Sequence, residues 1–307
     1  MKRCHRFLAA VAFASLGASF SAAAQTLYVA TMRAEAAARS TAPSPVVSGL
    51  YTVNLATGVA TFAAPVRVNG SRQVGITGLA VHPTSGQFYG ITSRLSPNNP
   101  RSLVKLDPTT GDAAIVGELA QTGSDIVFDA SGVLYMWMPA THQIATINLG
   151  TAAVTALGTP GKEEALGGLA VDGRGTAYVT PGGANGTLDT VDLKTGAFKT
   201  GPQLKGAPFP GAITAMTFTP SGLLLAVNSN VGSPAQARLV TINTASGEIA
   251  SIGTLPEDSD ALTFAPASRD IGQILDTMSG RTMALLALIL GLVLALAGVA
   301  LFKVLRH

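Results

Sequence analysis

Between Leu27 and Pro266 the apolar residues come in short runs rich in Val, Ile, Leu, Phe and Tyr. Each run is closed by a cluster of Gly, Pro, Ser, Asn or Asp. No 3.6-residue periodicity joins the runs, so the pattern predicts strands and tight turns, not helices. The runs also recur in a fixed order. One series ends just before a turn: Leu79-Ala80-Val81, Ile126-Val127-Phe128, Leu169-Ala170-Val171, Met216-Thr217-Phe218 and Leu262-Thr263-Phe264. With Val81, Phe128, Val171, Phe218 and Phe264 aligned, the spacings are 47, 43, 47 and 46 residues. A second series follows that turn, with Gly86 before Phe88-Tyr89, Gly132 before Leu134-Tyr135, Gly175 before Ala177-Tyr178 and Gly222 before Leu224-Leu225. A third series runs into one repeated phrase, Asn or Asp, two variable residues, Thr or Ser, then Gly (once Ala). It occurs at Asn54–Gly58, Asp107–Gly111, Asn148–Ala152, Asp192–Gly196 and Asn243–Gly247. A fourth run then follows, such as Ala113–Gly117 or Ile249–Gly253.

Four short antiparallel strands, a to d, repeated at this period predict the blades of a β-propeller. A β-sandwich has no reason to repeat its turn chemistry in every unit. The last a strand, near Asp260–Pro266, has no b, c or d strand after it, and the first strand, Leu27–Thr31, is a b strand lacking its a strand. Pairing them completes one blade and closes the ring, leaving no open sheet edge. The expected fold is therefore an all-β, five-bladed propeller over residues 25–266, closed by its terminal strands. The a–b and c–d turns are short and uniform, whereas the b–c connections vary: Met32–Ser48, Arg94–Arg101, Pro139–His142, Pro181–Gly186 and Ser229–Ala237. Variable loops on a constant frame predict a binding face on the b–c side.

The cadence of LYTVNLATG, ITGLAVHPTSGQFYGIT, LVKLDPTTGDAAIVGEL and LVTINTASGEIASIG resembles that of the broad group of bacterial secreted propellers with YVTN-like or NHL-like repeats. The resemblance covers nearly all of Leu27–Pro266. It implies the fold and an exported location. It does not imply one activity, because the group includes lactonases, quinoprotein subunits and surface-layer proteins.

The ends differ in character. Residues 1–24 read as a signal peptide, with Lys2, Arg3 and Arg6, an apolar stretch from Phe7 to Phe20, and a small-residue cleavage site at Ala22-Ala23-Ala24. The single cysteine, Cys4, falls inside it, so no disulfide framework is expected in the exported domain. Thr282–Phe302 is a run of 21 residues without a charge, long enough to span a bilayer as a helix. A linker over residues 267–281 precedes this run and the basic tail 303–307 follows it, which puts the tail on the cytoplasmic side and the propeller on the exported, periplasmic or extracellular, side. The a–b side is then expected to face the membrane. A cleavable sorting tail would also fit, but no LPxTG-type or Pro-Glu-Pro-type motif precedes Arg281. Without the flanking segments, residues 25–280 carry 14 Lys and Arg against 17 acidic residues. The basic balance of the whole chain is thus a targeting effect, and a nucleic-acid role has no basic stripe to rest on.

The catalytic inventory is thin. No HExxH, Gly-x-Ser-x-Gly or phosphate-loop motif occurs, and nothing points to a cofactor or to a metal held in the repeated turns. His82 occupies the slot of Asp129 and Asp172, a turn-stabilising position, and His142 lies in a b–c loop with no acid close in sequence. Trp137 and the b-strand tyrosines read as blade packing. One constellation carries chemistry. The entries to the a strands bear Gln121 and Asp125, Glu163 and Glu164, and Glu257, Asp258 and Asp260, whereas other repeats place Thr77, Gly78, Thr214 and Ala215 there. Asp125, Glu164, Asp258 and Asp260 are the candidate ligand-binding residues, for a cation or a polyhydroxylated or cationic ligand; solvated residues at the rim are the favoured reading of the set. The expected function is a membrane-anchored, exported, non-catalytic binding or scaffold module for an unidentified protein or small molecule. The alternative is a metal-dependent, lactonase-like hydrolase using Asp125, Glu164 and Asp260.

Overall fold

The computed structural model describes residues 25–33, 48–164 and 166–265. Its strands are β1 (Leu27–Thr31), β2 (Gly49–Val53), β3 (Ala60–Pro65), β4 (Arg67–Val68), β5 (Arg72–Gln73), β6 (Ile76–Val81), β7 (Phe88–Thr92), β8 (Ser102–Leu106), β9 (Asp112–Glu118), β10 (Asp125–Phe128) and β11 (Leu134–Met138). They continue as β12 (Gln143–Ile147), β13 (Val154–Leu157), β14 (Leu169–Val171), β15 (Ala177–Val179), β16 (Asp189–Val191), β17 (Phe198–Lys199), β18 (Ala212–Phe218), β19 (Leu224–Ser229), β20 (Ala237–Ile242), β21 (Ile249–Leu255) and β22 (Ser259–Phe264).

These strands form five antiparallel meanders, and the protein is a five-bladed β-propeller. The sheet orders are β22-β1-β2-β3, β6 to β9, β10 to β13, β14 to β17 and β18 to β21. The first of these is the expected closure. β22 supplies strand a to a blade whose other strands come from the chain's beginning, with Tyr28 opposite Thr263 and Val29 opposite Leu262. Just beyond the pair, Ala265 N–H donates to the Thr26 carbonyl at 2.8 Å.

The hydrophobic core is divided among the blade interfaces. Among the described residues five buried clusters occur, and each joins neighbouring blades: Ile91 and Leu103 of the second blade pack with Ile126 and Met136 of the third, and Val227 and Leu239 of the fifth pack with Val29 and Leu262 of the first. The other three clusters fill the remaining interfaces in the same way. Every blade thus buries both faces against neighbours, as radial packing requires.

Each letter of the repeated phrase has a role in a c–d turn. The Asn54 Oδ1 accepts from the N–H groups of Ala56 (2.9 Å) and Thr57 (3.2 Å), and the Thr57 hydroxyl accepts from Val59 N–H. Asp107, Asn148, Asp192 and Asn243 repeat the arrangement. His82 does the equivalent in an a–b turn, its Nδ1 accepting from Thr84 and Ser85 N–H at 3.3 Å.

Two features exceed the regular plan. β4 and β5 form a hairpin between the first and second blades, and β4 pairs in parallel with the start of β9. Val66, Val68 and Val74 beside it are fully buried. Three a strands also carry a bulge, described below. The expected span 282–302, the leader 1–24, the linker and the tail lie outside the described residues. Among the described residues no helix is long and apolar enough to cross a membrane.

Candidate functional site

The a strands converge on the axis, and their entries form the b–c mouth of the channel. In β6, β18 and β22 the pairing with the neighbouring b strand slips by one residue. The register passes from Ile76 to Gly78, from Ile213 to Ala215, and from Ala261 to Ser259. The extra residues are Thr77, Thr214 and Asp260. A bulge re-aims the side chain it releases, and these three meet: the Thr77 hydroxyl donates to Asp260 Oδ2, and Thr214 lies against the same carboxyl. The Thr214 hydroxyl, though fully buried, has no hydrogen-bond partner among the described residues.

The acids of the sequence-derived set meet three different fates. Asp125 is completely buried and ties three blades together. Its Oδ1 accepts from Ile126 N–H (2.9 Å), and its Oδ2 accepts from Leu169 N–H (2.8 Å) and Met216 N–H (3.0 Å). Burial pushes its carboxyl well above the usual range, the three N–H donors oppose this, and the charge of Asp260 adds to the rise. Asp258, also fully buried, accepts from Ala235 N–H at 2.8 Å and faces the Arg33 guanidinium at 3.2 Å. Its own backbone bonds Met32 and Ala235. It thereby fastens two b–c connections to the closing strand.

Asp260 is 2% exposed. Burial raises its carboxyl to about 7, against the lowering effect of Thr77 and Thr214; Asp258 raises it further and Arg33 lowers it. The expectation of solvated rim residues is therefore corrected for Asp125, Asp258 and Asp260. Each sits behind bulged or bonded strand entries that remove it from water. It does describe Gln121, Glu163 and Glu257, which are exposed.

Glu164 is separate from these three. Its N–H donates to the Pro139 carbonyl at 2.9 Å, and its Oε1 lies 3.7 Å from His142 Nδ1. His142 thus has the acid neighbour that its sequence surroundings lack, supplied by the next blade's approach to its a strand. The His142 ring is held edge-on to Trp137 at 5.4 Å and against Phe198 at 4.5 Å. Among the described residues no three His, Cys, Asp or Glu side chains come together as a metal-ligand set.

Above Asp260 a cavity of about 130 Å³ opens to the b–c face. Asp260, Thr77 and Thr214 form its deep end, Leu95, Leu166 and Val231 its apolar neck, and Arg33 and Arg94 also line it. Leu95 and Val231 are the exposed ones, 42% and 54%. Arg33 and the two threonines were not candidates in the sequence. The threonines read there as small residues allowing crowding, and nothing in the strand pattern shows which slots bulge.

A larger depression of about 880 Å³ lies on the a–b face, around Val81, Phe128, Val171, Phe218 and Phe264, the five aligned repeat positions. Three of its polar side chains hold turns. Asp129 Oδ1 accepts from Ser131 and Val133 N–H, Asp172 Oδ1 from Arg174 and Thr176 N–H, and the Thr219 hydroxyl from Leu223 N–H.

No family model matches the chain, and no curated protein matches it. Among solved structures it is similar to a chain of a nidogen/laminin complex, at 13% identity and a TM-score of 0.51, over 80% of this chain and 99% of that one. It is similar to a gluconolactonase from Xanthomonas campestris at 13% identity and a TM-score of 0.44, over 70% of this chain and 74% of that one. A structural-genomics protein of unknown function from Bacteroides thetaiotaomicron matches at 15% identity and a TM-score of 0.43, over 58% of this chain and 50% of its own. The chain thus spans half the length of that last protein. At 13% identity the likeness to the nidogen/laminin chain shows the fold alone.

Proposed function

We propose that this protein is an exported, membrane-anchored binding module that engages its partner through the b–c face, without catalysis. One observation carries the reading: of the three buried channel acids, Asp125 and Asp258 are consumed in fastening strands, and Asp260 alone faces an open cavity, on the b–c face. A lone carboxyl beside two threonines suits recognition, and among the described residues no metal-ligand set surrounds it. The metal-hydrolase alternative needs Asp125, Glu164 and Asp260 together, and Glu164 lies against His142 instead. The anchoring part of the proposal rests on the charge-free run Thr282–Phe302 and the basic tail. It agrees with the pairing of Thr26 and Ala265 on the side away from the b–c mouth.

The test uses the full chain in its native envelope. Photo-crosslinking side chains are placed at Leu95 or Val231 on the b–c face and at Ser221 on the a–b face. Adducts from the first two, in a membrane fraction that resists carbonate extraction, are the expected result. Adducts from Ser221 alone would reverse the face, and recovery of the chain in the soluble fraction would remove the anchor.

A further inference from the structure

The cavity above Asp260 has a definite chemistry. At about 130 Å³ it is well below the roughly 300 Å³ at which pockets begin to enclose drug-sized molecules, so it accommodates an end group. Its deep end offers acceptors: the Asp260 carboxyl and the Thr214 hydroxyl, which is 2% exposed and without a hydrogen-bond partner among the described residues. Buried polar atoms are normally partnered, and the unpartnered Thr214 hydroxyl belongs to a residue that lines this cavity, beside Asp260. The neck is apolar, through Leu95, Leu166 and Val231.

Resting on the b–c face reading above, we propose that this cavity receives a protonated primary amine on a short alkyl stem. The nitrogen hydrogen-bonds Asp260 and Thr214, and the methylenes lie along Leu95, Leu166 and Val231. An ammonium group carries three donors and no acceptor, matching a wall that ends in acceptors. Its stem suits an apolar neck for the reason that lysine stems lie along apolar surface while their heads reach polar groups. An anion is disfavoured, because Asp258 adds negative charge beside Asp260. Arg33, the cation nearest this group, is paired with Asp258 at 3.2 Å, and Arg94 projects from the lip into solvent. A neutral alcohol would satisfy Thr214 but leave the carboxylate unmatched.

The proposal carries a pH signature. The free carboxyl titrates at about 7 under the combined influence of burial, Thr77, Thr214, Asp258 and Arg33, with Asp125 and Arg94 as the other charged groups facing this end of the channel. An ammonium ion binds the ionised form, so affinity is greatest above that pH and decreases as the carboxyl takes up its proton.

The experiment titrates the full chain in detergent micelles with n-butylammonium, followed by calorimetry, with n-butanol and n-butyrate as matched probes and Nα-acetyl-lysine amide as the side-chain form. Expected are saturable binding of both amines, binding at least about tenfold weaker for butanol, and none for butyrate. Tighter binding of the lysine amide than of n-butylammonium would identify a protein side chain as the source, and the reverse a free amine. Below about pH 7 the affinity should approach a tenfold loss per pH unit. Asp260→Asn should abolish binding. Leu95→Trp, which fills the neck without touching the acid, should also abolish it, and it decides the matter should Asp260→Asn fail to fold. Equal binding of butanol, binding of butyrate, or amine binding that survives Leu95→Trp would overturn the assignment. Adducts from Leu95 and Val231 without any amine binding would leave the b–c face reading standing and defeat the amine alone.

Discussion

Asp125, Asp258 and Asp260 look alike in the sequence, each an acid at the entry to an a strand. The backbone decides what each does. Asp125 stands opposite Trp137 in regular pairing and meets the N–H groups of two further blades. Asp260 stands in a bulge and accepts from the Thr77 hydroxyl instead. Burial is the largest effect on the Asp260 carboxyl and outweighs the threonines beside it, so Asp260 is kept partly protonated near neutrality. Its folded value lies above its unfolded one. The native state therefore binds more protons than the unfolded state between about pH 4 and pH 7. The stability from this group is fully present below the unfolded value and is lost as pH rises through about 7. For a shift of this size the loss is of the order of 4 kcal/mol. Thermal unfolding of the parent and of Asp260→Asn at about pH 5 and pH 8 checks this. The parent should lose more stability over that interval than the variant, and equal losses would show that the carboxyl does not titrate in the fold.

At the scale of the element, the repeated phrase is a spacer between blades. Gly247 has φ +73, and a Cβ there would stand 2.2 Å from the Gln203 carbonyl oxygen of the preceding blade; Gly111 has φ +76 and would stand 2.0 Å from that of Pro65. The exception supports the rule. Where the phrase ends in Ala152, at φ +61, the facing strand carries Gly117, whose own Cβ would meet the Thr151 carbonyl oxygen at 2.8 Å. The facing glycine, present also as Gly253 opposite Gly58, leaves room for Ala152. Gly247→Ala should thus destabilise by about 3 kcal/mol, combining left-handed strain with a backbone clash. Gly173→Ala, with open space around it, should stay within about 0.5 kcal/mol. Chemical denaturation of the two variants reads the difference.

The same scale separates what was legible from what was not. Turn chemistry is local, so the phrases, the His82 turn and the four-strand order stood in the sequence. The β4–β5 hairpin carries a local signal too, the three-residue connection Asn69-Gly70-Ser71, with Asn69 and Gly70 at positive φ. Asn-Gly marks a turn, but it does not show that the flanking residues add two strands to a blade that already has four. The bulges at Thr77, Thr214 and Asp260 were not legible, since they depend on how five a strands share one axis. The burial of the acids and the formation of the cavity follow from those bulges. The approach of Glu164 to His142 is likewise tertiary.

For the whole molecule, the closing strand completes both the ring and the site. β22 covers the edge of β1, buries Ala261 and Leu262, and carries Asp260 to the axis. It also delivers Asp258 to the start of the connection after β1, through Arg33 and Met32. A chain ending at Asp258 loses the strand but keeps every other blade residue, whereas a chain ending at Ala265 keeps the closure. Their comparison isolates it. The longer chain should unfold in one thermal transition. The shorter one leaves β1 with an unpaired edge and two interfaces open to water, a template for association. It should lose the cooperative transition in circular dichroism and gain concentration-dependent aggregation. If both chains melt alike, the blades are stable without the ring, and Asp260 would then be placed by its own blade, not by closure. Because the bulge at Asp260 exists only in the pairing of β22 with β1, the prediction ties recognition to folding: no partly closed propeller presents the cavity.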